Sequence, residues 1–213
     1  MKLDFILYLL LILSGVIIGL SKYNKLSFSY KYLTLLLLIT FISELTGRYL
    51  IYAIKNSNPV YHFFSPLEFI LWAAIFFYLS KSIIIKRTVI VFTCLFLCFT
   101  IFNSFFLQPI KTFNSNADII KSIFFFIILM SLFIEKLNDD TFYEFLLDED
   151  LILLITALWF ILTNFLFYAS LNYFSERGVN LYWLDKIQYY TTLIYYLFLS
   201  ITLIKAKKLN AAN

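Results

Sequence analysis

Residues 60–79 read VYHFFSPLEFILWAAIFFYL. This stretch decides the fold. It contains no Lys or Arg and one carboxylate, and its twenty residues span a roughly 30 Å hydrocarbon core when helical. Its polar members are not scattered. His62, Ser65 and Glu68 recur every third residue, which puts them on one helical face with Trp72. The pattern predicts a membrane helix with one polar stripe turned away from lipid.

Six further runs have the same character: 3–20, 32–54, 88–106, 117–134, 151–173 and 184–204. The expected fold is therefore all-α, a polytopic membrane bundle of seven transmembrane helices forming one domain over residues 1–213. Composition agrees. The chain is 62% hydrophobic and 14% charged, whereas a soluble domain is typically about half apolar and about a quarter charged. Lys2 before the first run resembles a signal peptide, but no small-residue cleavage site follows, so that run is expected to be a retained helix. Asn56-Ser57-Asn58-Pro59, Gln108-Pro109 and Asn114-Ser115-Asn116 break the chain between runs. So does Ser175-Glu176-Arg177-Gly178.

Loop cations set the expected orientation. One side holds Lys22, Lys25, Lys31, Lys81, Lys86, Arg87, Lys136, Lys205, Lys207 and Lys208; the other holds Lys2, Lys55, Lys111 and Arg177. The first side reads as cytoplasmic, with the N-terminus outside and the C-terminus inside. The bacterial inner (cytoplasmic) membrane is the expected location. Net charge is +4 without a basic block on a soluble surface, so direct nucleic-acid binding is not expected. The acidic loop from Asp139 to Asp150, carrying Phe142, Phe145 and Leu146, is a candidate dock for a cytoplasmic protein partner or a solvated loop.

Every helix except the first and fourth carries a polar stripe. The second has Thr40, Glu44, Gly47 and Arg48, in which Glu44 and Arg48 form an i,i+4 pair able to neutralise each other. The fifth has Asn114, Asp118, Lys121 and Ser122; the sixth has Asn164, Tyr168 and Asn172; the seventh has Asp185, Gln188, Tyr189, Thr192 and Tyr196. With the orientation above, these stripes fall largely in the outer half of the membrane. The candidate ligand-binding set is thus Glu44, Arg48, His62, Glu68, Asp118, Lys121, Asn164, Tyr168, Asp185 and Gln188. The alternative is that these groups pair among themselves and lock the helix order. The first and fourth helices are placed at the lipid-facing periphery. Scarce glycine implies little close packing of the Gly-xxx-Gly kind. Cys94 and Cys98 read as small packing residues.

Catalytic signatures are lacking. There is no Gly-x-Ser-x-Gly elbow, His-Glu-x-x-His helix or phosphate loop, and His62 is the only histidine. No cofactor and no metal is expected, and a non-enzymatic role is favoured.

The strings Asn58–Phe69, Asn103–Pro109 and Phe113–Ala117, with a weaker match around Trp159 to Tyr168, resemble an uncharacterised family of small seven-helix membrane proteins common in flavobacteria-like (Bacteroidetes) bacteria. The matching polar positions are His62, Glu68, Asn103, Asn114 and Asn116. The resemblance implies kinship with membrane-embedded sensor halves of bacterial signalling proteins, without an output domain. The acidic loop departs from it, which puts any inherited partner in doubt. The expected function is a sensor, receptor-like or accessory membrane component that takes a small polar ligand from outside and needs a partner for output. A pore-forming or regulatory accessory protein of a bacterial immune (CRISPR-type) system is the second reading. An intramembrane enzyme on a lipid, using His62 and Glu68, is the third.

Overall fold

A computed structural model describes residues 3–138, 149–175 and 182–206. Residues 139–148 with Phe142, Phe145 and Leu146, the loop with Glu176, Arg177 and Gly178, Lys2, Lys207, Lys208 and the side chain of Asn172 lie outside the described residues.

Among the described residues seven helices form, each long and apolar enough to cross a membrane. They are α1 (Leu3–Lys22), α2 (Phe28–Ile54), α3 (Asn58–Leu79), α4 (Ile83–Phe102), α5 (Ser115–Leu137), α6 (Glu149–Ser175) and α7 (Tyr182–Lys205). The helices outrun their apolar stretches by up to a turn or so, except that α4 gives way at Phe102. Asn58 begins α3 with Pro59 in its first turn, where a missing N–H costs nothing. Pro66, inside α3, has no N–H to offer the His62 carbonyl one turn back. α4 runs on into a π-turn, Asn103–Leu107, closed by Gln108 N–H donating to the Asn103 carbonyl at 2.7 Å.

Each helix packs on its chain neighbours, and α1 packs on α7, so the bundle closes into a ring. α3 also reaches α5, which leaves α4 outside the ring's lining. α1 and α7 run parallel. Near one end of the pair the Tyr189 hydroxyl donates to the Asp4 carbonyl at 2.8 Å; near the other, Lys22 Nζ donates to the Ile204 carbonyl at 2.6 Å. The end holding the N-termini of the odd-numbered helices is called the cavity end below; the opposite one is the far end.

Outward faces are apolar on every helix, as at Ile17, Tyr52, Phe63, Ile84, Phe105, Ile127, Leu166 and Ile187. A bilayer solvates such a surface; water does not. In lipid, helix association depends on close packing and polar contacts more than on water exclusion. Phe69 of α3 stacks on Phe96 of α4 and Phe125 of α5 at ring separations of 4.3 and 4.4 Å, which joins three helices. Phe160 of α6 stacks on Tyr195 of α7 at 3.7 Å.

Three sequence expectations need correction. α1 is not peripheral: Tyr8, Ile12 and Val16 are buried between α2 and α7. Glycine does serve close packing, since a Cβ on Gly15 would stand 2.8 Å from both Leu37 and Ser200, and one on Gly19 only 2.4 Å from the Thr34 hydroxyl. Gly15 and Gly19 are thus a Gly-xxx-Gly face on which the ring closes. Cys94 and Cys98 are exposed on α4 and pack no interior.

The far end is pinned by polar side chains on backbone. Glu135 of α5 accepts from the Lys81 and Ser82 amides at 2.7 and 2.9 Å and from the Ser80 hydroxyl at 2.7 Å, capping the α3–α4 connection. Asp150, starting α6, accepts from the Tyr30 hydroxyl at 2.5 Å and lies 3.4 Å from Lys136.

Candidate functional site

The polar stripes surround a void. A cavity of about 370 Å³ is lined from α1, α2, α3, α5, α6 and α7, and not from α4. Eight of the ten candidate residues line it: Glu44, Glu68, Asp118, Lys121, Asn164, Tyr168, Asp185 and Gln188. A second space of about 480 Å³ adjoins it, lined by Asp4, Phe5 and Arg48 among others. Tyr8, Glu44, Asp185, Gln188 and Thr192 line both spaces. They form a neck between an inner chamber and a vestibule, and exposed Asp4, Arg48 and Asp185 mark its mouth at the cavity end.

The α3–α5 wall holds the buried charges. Lys121 Nζ lies 2.7 Å from Glu68 Oε2 and 2.7 Å from Asp118 Oδ1. Glu68 and Asp118 are buried, so one ammonium bridges two carboxylates on different helices. Ser65 donates to Asp118 Oδ1 at 3.4 Å. Breaking such a pair by removing one member costs about 3–5 kcal/mol, because a buried charge is left without its partner. Beneath Lys121 a void of about 10 Å³, bounded by Trp72, Ser122, Phe125 and Asn164, is close to the size of one water.

His62 is the candidate that the structure removes from the cavity. Its ring lies 2.9 Å (Nδ1) from the Ser104 hydroxyl and 3.1 Å (Nε2) from the Thr112 carbonyl. A carbonyl only accepts, so Nε2 carries the proton, and in the neutral ring Nδ1 accepts from Ser104. His62 is a buried clasp between α3 and the α4–α5 connection. The same connection is held by Asn103, whose amide donates to Asn114 Oδ1 at 2.8 Å, and by Gln108, which donates to Ser115 at 2.9 Å and accepts from the Asn116 amide at 3.0 Å. Asn56 and Asn58 both donate to the Lys111 carbonyl, at 2.9 and 3.0 Å. The folded connection brings Phe113 and Asn114 to the chamber wall. The π-turn makes this geometry: its extra residue carries Asn103 inward, where it is fully buried.

The α1–α2–α7 wall differs. Glu44 and Arg48 do not pair. The Arg48 guanidinium stands 5.2 Å from the Phe5 ring centroid, a cation–π distance, and Glu44 faces the hydroxyls of Tyr8 and Tyr61. The i,i+4 spacing permits a salt bridge, but Phe5 on the neighbouring helix draws Arg48 to the mouth. Gln188 of α7 donates to Asn164 Oδ1 of α6, tying those two helices beside the chamber.

Sequence periodicity missed Tyr8, Asp4 and Phe113. Tyr8 is the only tyrosine of α1, and that was its only signal. Among the described residues no group of three or more His, Cys, Asp or Glu side chains is arranged to hold a metal ion.

No known protein family, curated protein or solved structure matches this chain.

Proposed function

We propose that the chain is a non-enzymatic membrane protein whose chamber takes a small polar ligand, and that it acts as a sensor, receptor-like or accessory component needing a partner for output. The observation that carries this reading is the convergence of six helices on one chamber joined to a vestibule at the cavity end. A purely structural lock has no need of such a void, since its polar groups are satisfied by touching one another. The loop cations support an orientation with the cavity end outside and the Lys-rich far end in the cytoplasm. The bacterial inner membrane is the corresponding location, as in the seven-helix family that the sequence resembles.

A continuous pore is disfavoured, because buried Phe69, Trp72, Phe76 and Phe125 fill the bundle below the chamber. The lipid-enzyme reading loses its base, since both nitrogens of His62 are engaged by Ser104 and Thr112.

The test places a cysteine at Thr192, which lines both chamber and vestibule, in a chain with Cys94 and Cys98 replaced by Ser. Intact cells are treated with a membrane-impermeant maleimide. Thr192→Cys is expected to react from outside without permeabilisation. Reaction only after permeabilisation, or none in the folded protein, overturns the outward pocket.

A further inference from the structure

The charges around the chamber do not balance. Glu44, Glu68, Asp118 and Asp185 bring four carboxylates, against which Lys121 is the one ammonium lining the chamber among the described residues. Lys121 is already bound by Glu68 and Asp118 together, so that triad itself retains an excess negative charge in a buried place. Arg48, the nearest other cation on α2, is turned to Phe5 at the mouth. Glu44 has no cationic partner among the described residues and lines both the chamber and the vestibule.

More than half of the remaining lining is aromatic. Tyr8, Tyr61, Phe64, Phe160, Tyr168 and Tyr196 all border the chamber. Aromatic faces carry negative quadrupole charge and attract cations when water is excluded. An anion has little to bind here: among the described residues no free ammonium or guanidinium lines the chamber. A strongly hydrated metal ion also fits poorly, because among the described residues no three His, Cys, Asp or Glu side chains converge to hold one.

We propose that the ligand of this chamber is a small organic ammonium compound, held by Glu44 at the neck and by the surrounding aromatic faces. This rests on the reading of the chamber as a ligand pocket. Asp185 and Asp4 at the mouth draw the cation in, and Gln188 and Asn164 offer polar contacts to the rest of the molecule. The volume of about 370 Å³ suits an amine of roughly ten to fifteen heavy atoms or fewer.

The experiment uses the full chain in lipid nanodiscs and follows the rate at which Thr192→Cys reacts with maleimide. Phenethylammonium and tetramethylammonium chlorides are the probes. Phenylacetate, with the same ring and the opposite charge, and sodium chloride are added at matched ionic strength. Both ammonium probes are expected to slow labelling saturably, and Glu44→Gln to weaken that protection about ten-fold or more. Protection by phenylacetate and not by the ammonium probes overturns the ligand class while leaving the pocket standing. Equal protection by sodium chloride assigns the site to an inorganic cation and overturns the proposal. Absence of protection by any probe in a protein whose Thr192→Cys still labels overturns it too. Should Glu44→Gln fail to fold, Asp185→Asn at the exposed mouth replaces it, with a smaller loss of affinity expected. Unchanged affinity in that variant, together with no difference between phenethylammonium and phenylacetate on the parent chain, overturns the charge argument.

Discussion

The two sides of the chamber handle charge in opposite ways. On the α3–α5 side Glu68, Asp118 and Lys121 satisfy one another, and His62, Asn103, Asn114 and Gln108 knit the adjoining connection. On the α1–α2–α7 side Glu44 and Asp185 face the void without a salt bridge among the described residues, and helix contact depends on glycine. Paired polar groups make a rigid wall, whereas unpaired ones leave chemistry to offer a visitor. A wall of each kind is what a binding chamber needs: one to hold its shape and one to respond.

The sharpest way to break this contrast is to remove Lys121. Lys121→Met leaves two buried carboxylates facing each other and is expected to cost about 3–5 kcal/mol, read as a large fall in thermal stability in detergent. Adding Glu68→Gln to it restores part of the loss, because one surplus charge goes with the side chain. If the double variant is no better than the single, the triad is not the lock described above.

On the opposite wall the greatest expected effect is steric. Gly19→Ala drives a methyl group into Thr34 and should cost about 1–3 kcal/mol; Thr34→Gly in the same chain relieves it. A neutral Gly19→Ala would mean that α1 is free to shift.

His62→Ala strips the clasp from Ser104 and Thr112 and should cost about 1–3 kcal/mol. Its decisive readout is binding: once folded, the variant should retain ammonium protection, since His62 does not line the chamber. Loss of binding without loss of stability would return His62 to the site.

The smallest effect belongs to Glu44→Gln, expected to alter stability by less than about 0.5 kcal/mol or to raise it, because no ion pair is lost. A destabilisation equal to that of Lys121→Met would erase the distinction between the walls.

Much of this was legible in the residues. All seven helices follow from run length, since a bilayer imposes its thickness on sequence more strictly than a soluble core does. Eight of the ten candidates meet at one chamber because polar stripes in membrane helices turn inward for a simple energetic reason. Pairing was less legible. The Glu44–Arg48 spacing is favourable within α2, yet the competing Phe5 ring lies more than forty residues away in sequence. The inward role of α1 was hidden because a Tyr tip and two glycines carry no charge for periodicity to detect. His62 shares a face with Glu68, but a π-turn in another helix redirects its partners, and the i→i+5 closure at Asn103 leaves no plain mark in composition.

The ring closes between α1 and α7, helices whose stitching hydrogen bonds join residues 181–185 positions apart. During synthesis α1 enters the bilayer before α7, and the Gly15 surface that receives Ser200 stays uncovered until α7 arrives. For most of translation the chain is an open arc with its acidic residues facing lipid or water. The chamber comes into being in a single late docking event, so an arrested chain ending before residue 182 holds the Glu68–Lys121–Asp118 wall and encloses no site.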